Sequence, residues 1–199
     1  MACAEEFQTL REGLFFWQAY DASVKVDLSC CARRTKKGLV FIDPIPLAEE
    51  ALNELTAGCP PAAIVLTNGN HERAARSLRQ RFQIPAYAHR DALAGLGDCI
   101  DRTLDDGEAL LDELTVVELP GASPGEIGLL GTDVLHVGDA LIHLPPLGLG
   151  ILPDKYCSDP KELRRSLGKL LRFPFDALTF AHGLPVMTQA RQRLSHLIA

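Results

Sequence analysis

The chain has 199 residues, of which 47% are hydrophobic, with 20 basic and 26 acidic residues and a net charge of −6. This length and hydrophobic content predict one folded domain over residues 1–199 and exclude a disordered chain. The acidic balance excludes a whole-chain electrostatic attraction to nucleic acid or to anionic membranes.

The N-terminal stretch and the cysteines indicate a cytoplasmic protein. Glu5 and Glu6 lie where a secretory leader carries basic residues, and no apolar run approaches the roughly 20 residues that span a bilayer. The six cysteines form no Cys-x-x-Cys pair, which favours reduced thiols that pack as small apolar side chains. We therefore expect a cytoplasmic protein that binds neither nucleic acid nor a membrane.

The first half of the chain predicts single strands separated by helices. Residues 24–28 alternate apolar and polar side chains, as a half-exposed strand does, and a turn at 33–38 leads to a strand at 39–42. Helices are predicted at 46–55, 72–82 and 91–96, and further strands at 64–66 and 84–88. Asp43 and Thr67 directly follow strands, so each strand runs into a polar loop of the kind that carries function.

The second half predicts more hairpins. Strands are expected at 114–119, 127–130, 134–137 and 176–180. Helices are expected at 160–171, with Asp159 as the N-cap, and at 188–197. The stretch from Leu144 to Pro153 is rich in proline and glycine, so we expect no long regular element there. Strands that occur both in hairpins and singly between helices predict mixed sheets covered by helices, an α/β chain of the α+β kind.

Four polar loops each follow a predicted strand. They read Thr-Asn-Gly-Asn-His-Glu-Arg at 67–73, Pro-Gly-Ala-Ser-Pro-Gly at 120–125, Gly-Asp at 138–139 and His-Gly at 182–183. In this order they resemble the loops of the metallo-β-lactamase superfamily, whose Thr-His-x-His-x-Asp-His motif precedes a Pro-Gly-His-(Thr/Ser)-Pro-Gly loop, a Gly-Asp and a late His-Gly. The resemblance covers residues 43–183. It implies a four-layer αββα sandwich, two mixed sheets flanked by helices, with a metal site at the strand ends along one edge.

The chain departs from this pattern at most metal ligands. Five ligands of the family are replaced, namely by Asn68, Asn70, Glu72, Arg73 and Ala122. Asp139, in the bridging position, and His182, in the last ligand position, are retained. Amide oxygens are poor ligands for zinc, manganese or iron, and alanine provides none. The resemblance therefore implies the fold but not the dinuclear hydrolase activity.

Arg73 suggests how the site is organised without a metal. Two facing carboxylates would raise each other's pKa and cost stability unless a cation lies between them. A guanidinium is a permanent cation whose planar donors match a carboxylate. We predict that Arg73 occupies the vacated metal position and pairs with Asp139, Glu72 or both, so that no cofactor is bound. The alternative is one zinc, manganese or iron ion on Glu72, Asp139 and His182.

Other polar residues have two interpretations each. Asn68 and Asn70 are either turn and cap residues or, as we favour, the lining of a remnant pocket. His71 lies in the variable position of the motif and is expected at the surface, with a replacement ligand as the alternative. Asp43 is either a support behind the site or a turn residue, and His143 is a candidate for the pocket. The candidate pocket comprises Asn68, Asn70, His71, Glu72, Arg73, Ala122, Asp139, His143 and His182.

Residues outside these loops receive simpler predictions. His136 lies within a strand and is expected to be structural, while His89 and His196 are expected at the surface. A catalytic role for Cys157 is disfavoured, because a nucleophilic cysteine needs a lowered pKa and a neighbouring base. The apolar stretch from Leu144 to Pro153 is predicted to be a homodimer contact, a lid over the pocket or a loop folded onto its own core.

Three functions are compatible with these residues. We favour a metallo-β-lactamase-fold protein with a degenerate metal site, lacking dinuclear hydrolase activity, that binds a small ligand or a partner. The alternative is a metal-dependent hydrolase with an altered mononuclear site and a small ester-like or anionic substrate. A third is a metal-free enzyme in which Asp139 and His182 act as catalytic base and acid.

Overall fold

A computed structural model describes residues 2–199, so Met1, the first residue of the expected single domain, lies outside the described part. Residues 2–199 form fourteen strands and five α-helices. The strands are β1 (Gln8–Arg11), β2 (Leu14–Asp21), β3 (Val26–Thr35), β4 (Gly38–Ile42), β5 (Pro61–Leu66), β6 (Ala86–His89), β7 (Arg102–Leu104), β8 (Ala109–Leu110), β9 (Leu114–Glu118), β10 (Ile127–Leu130), β11 (Val134–Val137), β12 (Leu141–Leu144), β13 (Gly148–Ile151) and β14 (Ala177–Phe180). The helices are α1 (Glu49–Ala57), α2 (Ala75–Phe82), α3 (Leu93–Leu96), α4 (Pro160–Leu170) and α5 (Ala190–Ile198). Among residues 2–199, none of the helices combines the length and the apolar content needed to cross a membrane.

Two large mixed sheets form the body of the fold. The first has seven strands in the order β1 to β7, antiparallel from β1 to β4 and parallel from β4 to β7. The second has five strands in the order β14-β11-β10-β9-β8, with β11 and β14 parallel and the other pairs antiparallel. Strands β12 and β13 form a separate hairpin. The prediction of mixed sheets in an α+β chain is confirmed.

The apolar side chains lie in three layers because successive residues of a strand point to opposite faces. Phe41 of β4 belongs to the same buried cluster as Leu78 of α2, on the outer face of the first sheet. Its neighbour Ile42 belongs to a second cluster with Val116 of β9, between the two sheets. Helices α4 and α5 cover the second sheet through a third cluster. Helix, sheet, sheet and helix thus follow one another, which confirms the predicted αββα sandwich.

Some element boundaries differ from the prediction. The helix expected from residue 72 begins at Ala75, because residues 68–74 form a loop in which Arg73 has a left-handed backbone with φ of 42°. Strand β3 continues to Thr35 and so includes the first half of the turn predicted at 33–38. The stretch from residue 144 to 153, where no long regular element was expected, contains the four-residue strand β13 and the end of β12. Strands β1, β2, β7, β8 and β12 were not predicted either; β2 has eight residues and the others have two to four.

The polar loops meet at one edge because the strands that precede them run parallel. Ile42 of β4 pairs with Val65 of β5, and Val137 of β11 pairs with Phe180 of β14. The carboxyl ends of parallel strands share an edge, so the loops after these strands lie together. A hydrogen bond of 2.8 Å from the Ile127 N–H to the Thr67 carbonyl links the two sheets at that edge.

Candidate metal centre

Asp139 lies at the centre of a buried polar cluster at this edge and is 8% exposed. Its Oδ1 lies 3.2 Å from Nε2 of His71 and 3.3 Å from Nε2 of His182. Its Oδ2 accepts hydrogen bonds from Nδ2 of Asn68 at 3.0 Å and from Oγ of Ser123 at 3.1 Å. The two carboxylate oxygens therefore have different surroundings, one facing two imidazoles and the other facing two protein donors.

His71 is buried with 3% exposure, so the expectation that it lies at the surface is wrong. Its Nδ1 lies 2.9 Å from Oδ2 of Asp43 and 3.1 Å from Oγ1 of Thr67, which leaves Nε2 directed at Asp139. The backbone explains the inward position, because residues 68–74 form no helix and Arg73 is in the left-handed region. In such a loop, motif spacing does not determine which side chain points inward.

His182 follows β14 and presents its ring to the same point. Its Nδ1 lies 3.2 Å from the carbonyl oxygen of Asp27 in β3, and its Nε2 is directed at Asp139. Gly183 permits a close approach of the neighbouring strand, since a Cβ at this position would lie 2.0 Å from the carbonyl oxygen of His143. The His182 ring is thus held between the Asp27 carbonyl at Nδ1 and the Asp139 carboxylate at Nε2.

These three side chains fit a single metal ion. One ligand atom each from His71, Asp139 and His182 lies within 4.8 Å of the other two. Separations of 3.2 and 3.3 Å match the roughly 3.3 Å edge of a tetrahedron whose ligand bonds are near 2.0–2.1 Å. Asp139 Oδ1 is buried, and no donor among residues 2–199 reaches it with good hydrogen-bond geometry, so its nearest polar neighbours are the two imidazole nitrogens with which it could share a cation.

The Nδ1 atoms of His71 and His182 have partners that also support binding of a metal ion by Nε2. His71 has Nδ1 against the Asp43 carboxylate, and His182 has Nδ1 against the Asp27 carbonyl. Histidines that ligate a metal usually donate their other ring N–H to such a group, which fixes the tautomer and the ring orientation. Asp43 therefore lies behind the site.

A second ion does not fit beside the first. Asn68 is fully buried, and its Nδ2 donates to Glu126 Oε2 at 2.8 Å as well as to Asp139. Its Oδ1 accepts the N–H of Asn70. Ala122 is also buried and offers only a methyl group. The place of a second ion is thus taken by protein donors and apolar atoms.

Glu126 is part of this cluster but was not predicted from the sequence. It is 3% exposed, and its Oε1 accepts the N–H of Ala140 at 3.0 Å. Burial, together with the negative charge of Asp139, raises the pKa of Glu126 to about 8. The available signal was its position, since an acidic residue directly between the Pro-Gly loop and a buried strand is unusual.

Arg73 does not occupy a metal position, so the prediction that it pairs with Asp139 or Glu72 is wrong. Its Nη1 donates to the carbonyls of Ser29 at 2.8 Å and of Asp43 at 3.0 Å, and its Nη2 donates to the carbonyl of Ala181 at 3.2 Å. Asp43 and Ala181 directly follow β4 and β14, and the Ala181 carbonyl also accepts the N–H of Ser29 at 2.9 Å. The guanidinium has the fixed array of N–H groups that satisfies several carbonyls together.

Glu72 lies outside the cluster, which corrects its place in the alternative ligand set. Its Oε1 accepts a hydrogen bond from Nε of Arg76 at 3.0 Å, and its side chain is 37% exposed. His71, one residue earlier in the chain, supplies the third ligand atom in its place. Adjacent residues in this loop point to different sides, so Glu72 is directed to the surface.

Other candidate residues lie near the cluster without joining the three ligands. His143 has Nδ1 at 2.7 Å from the carbonyl of Leu184, and its ring centroid is 6.0 Å from that of Phe180. Asn70 is exposed, and its Nδ2 donates to Oγ of Ser123 at 3.4 Å. Both side chains therefore have partners away from Asp139 Oδ1.

Two of the remaining histidines are buried. His136 is 2% exposed, with Nδ1 at 2.9 Å from Oγ1 of Thr179, and burial lowers its pKa. His89 was expected at the surface but is 8% exposed, with Nε2 at 3.0 Å from Glu118. His196 is exposed, as predicted. The burial of His89 follows from its position at the end of β6, an internal strand of the first sheet.

The charges of the cluster are strongly coupled. Burial by itself would lower the pKa of His71, but the charges of Asp43 and Asp139 raise it to about 9. Burial would raise the pKa of both carboxyls, but His71 holds the pKa of Asp43 and of Asp139 far below the usual range. Without a metal, His71 is therefore an imidazolium between two carboxylates.

Comparison with known proteins places these observations in a family. The model of the metallo-beta-lactamase superfamily matches residues 8–199. The crystal structure of TTHA1623 in a di-iron-bound form is similar at 27% identity with a TM-score of 0.66, over 89% of this chain and 96% of that one. No curated relative matches the chain.

Two other solved structures share the fold at lower identity. The metallo-beta-lactamase of Erythrobacter litoralis is 15% identical with a TM-score of 0.75, over 96% of this chain and 95% of that one. The B3 metallo-beta-lactamase BLEG-1 is 24% identical with a TM-score of 0.68, over 89% of this chain and 95% of that one.

Proposed function

The chain belongs to the metallo-beta-lactamase superfamily, and we propose that it is a metal-dependent hydrolase whose single transition-metal ion is held by His71, Asp139 and His182. One observation carries the proposal. Asp139 Oδ1 is buried, has no hydrogen-bond partner among residues 2–199 and faces two imidazole nitrogens at 3.2 and 3.3 Å. The similarity to a di-iron-bound protein supports metal binding in this fold.

The protein's own residues would orient the ligands. A bound ion of this kind supplies a Lewis acid and lowers the pKa of a coordinated water towards neutrality. Asp43 holds the His71 ring so that Nε2 points to the site, and the Asp27 carbonyl does the same for His182. Asn68 and Ser123 hold Oδ2 of Asp139, which leaves Oδ1 as the ligand atom. We propose a small ester-like or anionic substrate by analogy with the superfamily.

A second candidate function is metal-free binding of a small ligand or a partner. A specific observation favours it. The His71 imidazolium lies 2.9 Å from Asp43 and 3.2 Å from Asp139, so it can balance both carboxylates without a metal. Together with the replaced ligands at Asn68, Asn70 and Ala122, this charge supports a protein that has lost hydrolysis.

Metal analysis distinguishes the two functions. The protein is purified without chelator and loaded separately with Zn²⁺, Mn²⁺ and Fe²⁺, and bound metal is counted by elemental analysis. The hydrolase proposal requires about one equivalent that is lost in Asp139→Ala and His182→Ala. His143→Ala is the matched control, because this histidine lies nearby with its Nδ1 on a carbonyl, and it should retain the metal. A wild-type protein that binds no metal contradicts the proposal.

An activity screen completes the test. Ester, lactone and phosphodiester substrates are offered to the loaded protein and to the chelator-treated protein. Activity that follows the metal content supports the hydrolase. Activity that persists in the chelated protein and is lost in His182→Ala would instead support the metal-free enzyme with Asp139 and His182 as base and acid.

We also propose a homodimer contact through the hairpin of β12 and β13. Leu147 at its tip is 84% exposed, whereas Leu149 and Ile151 pack against the core of the second sheet. The hairpin base is thus anchored while its tip presents an apolar side chain to solvent.

A further inference from the structure

Asn68 lies where the superfamily pattern has a histidine, and its amide nitrogen joins two carboxyl groups. Nδ2 donates to Glu126 Oε2 at 2.8 Å and to Asp139 Oδ2 at 3.0 Å. The three residues are 0%, 3% and 8% exposed. An amide nitrogen carries two hydrogens, so each carboxyl group receives one of them. This partly positive NH₂ group reduces the repulsion between the two carboxyl groups, as a cation in the same place would.

We infer that the Asn68 amide takes the place of a second metal ion and limits the site to one ion, an inference that rests on the proposed metal-dependent function. The other end of the same side chain is also engaged, since Oδ1 accepts the N–H of Asn70 at 2.9 Å. Asn68 therefore has no free atom with which to bind an ion. Its removal would leave two buried carboxyl groups facing each other without the donor that they share.

The same arrangement determines how Asp139 is used. Asn68 and Ser123 both donate to Oδ2, so this oxygen is unavailable as a bridge to another ion. Oδ1 remains for His71, His182 and the single proposed ion. Asn68 and Glu126 thus act as positioning residues, since they orient the carboxylate of a ligand and do not touch the ion themselves.

The substitution Asn68→Asp tests the inference with an almost isosteric side chain. It replaces the donor by a carboxylate, so three carboxyl groups would meet at separations near 2.8 and 3.0 Å. An octahedral site with bonds of about 2.1 Å has ligand edges of about 3.0 Å, and oxygen ligands suit Mn²⁺. We expect the wild-type protein to bind one equivalent of Mn²⁺ and the Asn68→Asp variant to bind two.

Asn70→Asp is the matched control. It adds the same charge two residues away, at an exposed side chain whose partner is the Ser123 hydroxyl and not a carboxylate. It should bind one equivalent of Mn²⁺ with an affinity within about threefold of wild type, well below the 10–100-fold effect of losing an outer-shell partner. A second equivalent in this control would contradict a specific role of Asn68.

Asn68→Ala provides an independent measurement if the aspartate variant does not fold. Loss of the amide leaves Ser123 as the remaining donor to Oδ2 of Asp139 and so loosens the carboxylate, and the affinity for the single ion should fall by about 10- to 100-fold. The Co²⁺ absorption spectrum should change as well, because the orientation of a ligand changes, which a purely structural role would not cause. An unchanged affinity and spectrum would overturn the inference.

The outcomes separate this inference from the proposed function. Two equivalents in the wild-type protein, or only one in a folded Asn68→Asp variant, would overturn the inference and leave metal dependence intact. No metal in the wild-type protein would overturn the proposed function. In that case a gain of one equivalent in Asn68→Asp supports the replacement of an ion by the amide, and no gain overturns it.

Discussion

Nε2 of His71 lies 3.2 Å from Oδ1 of Asp139, although His71 occupies the position that the superfamily motif leaves variable. The retained ligands Asp139 and His182 thereby gain a third partner from a residue that the motif does not assign. His71 lies in a non-helical loop in which Arg73 has a left-handed backbone conformation, and in this loop the His71 side chain points inward.

Removal of the His71 imidazole should abolish tight metal binding. His71→Ala leaves two ligand atoms, so we expect the affinity for Zn²⁺ to fall by at least about 100-fold, the upper limit of the effect of removing a mere outer-shell partner. Isothermal titration calorimetry measures the change. His143→Ala should bind as wild type does, and equal affinities of the two variants would rule out His71 as a ligand.

Asp43→Asn should weaken metal binding and destabilise the fold. The carboxylate is fully buried and lies 2.9 Å from Nδ1 of His71, so its loss removes the group that orients the ring. We expect a 10- to 100-fold loss of Zn²⁺ affinity and a loss of about 3–5 kcal/mol in the free energy of unfolding of the metal-free protein. Asp27→Asn is the control, because Asp27 contacts His182 through its backbone carbonyl. Similar losses in both variants would contradict this role.

Glu126 should make the metal-free protein less stable as the pH rises. Its pKa is about 8 in the folded protein against 4.5 as the ordinary value, so between these values the folded state binds more protons than the unfolded state. The free energy of unfolding should therefore fall across pH 4.5–8, by up to about 1.4 kcal/mol per pH unit from this group. Urea unfolding of wild type and Glu126→Gln measures it, and the variant should have the shallower dependence. Parallel curves would show that Glu126 is not buried as a neutral carboxyl.

Arg73→Met should destabilise the protein without changing metal stoichiometry. The substitution removes the guanidinium that donates to the carbonyls of Ser29, Asp43 and Ala181, of which Ala181 keeps a hydrogen bond from the Ser29 N–H. Each buried group left unsatisfied costs about 1–3 kcal/mol. We expect a loss of at least about 2 kcal/mol by urea unfolding. Arg76→Met is the surface control and should change stability by about 0.5 kcal/mol or less. A change in metal stoichiometry in Arg73→Met would instead support the predicted position of Arg73 in the metal site.

Leu147→Asp should convert a homodimer to a monomer. The side chain is 84% exposed at the tip of the hairpin, so the substitution adds a charge to the proposed contact without opening a cavity in the core. Sedimentation velocity measures the oligomeric state. Leu184→Asp, at a 41% exposed leucine outside the hairpin, is the control. A wild-type monomer, or a dimer that survives the substitution, would exclude the contact.

Many strands and helices were predictable because their signals are local and periodic, whereas the αββα arrangement was implied by the resemblance of the four polar loops. Strands at 127–130 and 134–137 match the observed bounds of β10 and β11, and Asp159 caps α4 as predicted by accepting the N–H groups of Lys161 and Glu162. Alternation along strands and turn residues between them depend only on neighbours in the chain. Short strands such as β8, with two residues, carry too little of this pattern to be recognised.

The sequence by itself determined the architecture and the strand ends at which polar residues gather, including Asp139 and His182. Only the tertiary structure decided which side chains point into that space. The His71 side chain points to Asp139, whereas Glu72 pairs with Arg76 at the surface. Arg73 donates to backbone carbonyls, and Glu126 accepts a hydrogen bond from Asn68. The physical reason is that a loop has no period that assigns faces to its residues. Its side chains are selected by the donors and acceptors that distant strands bring within hydrogen-bond distance.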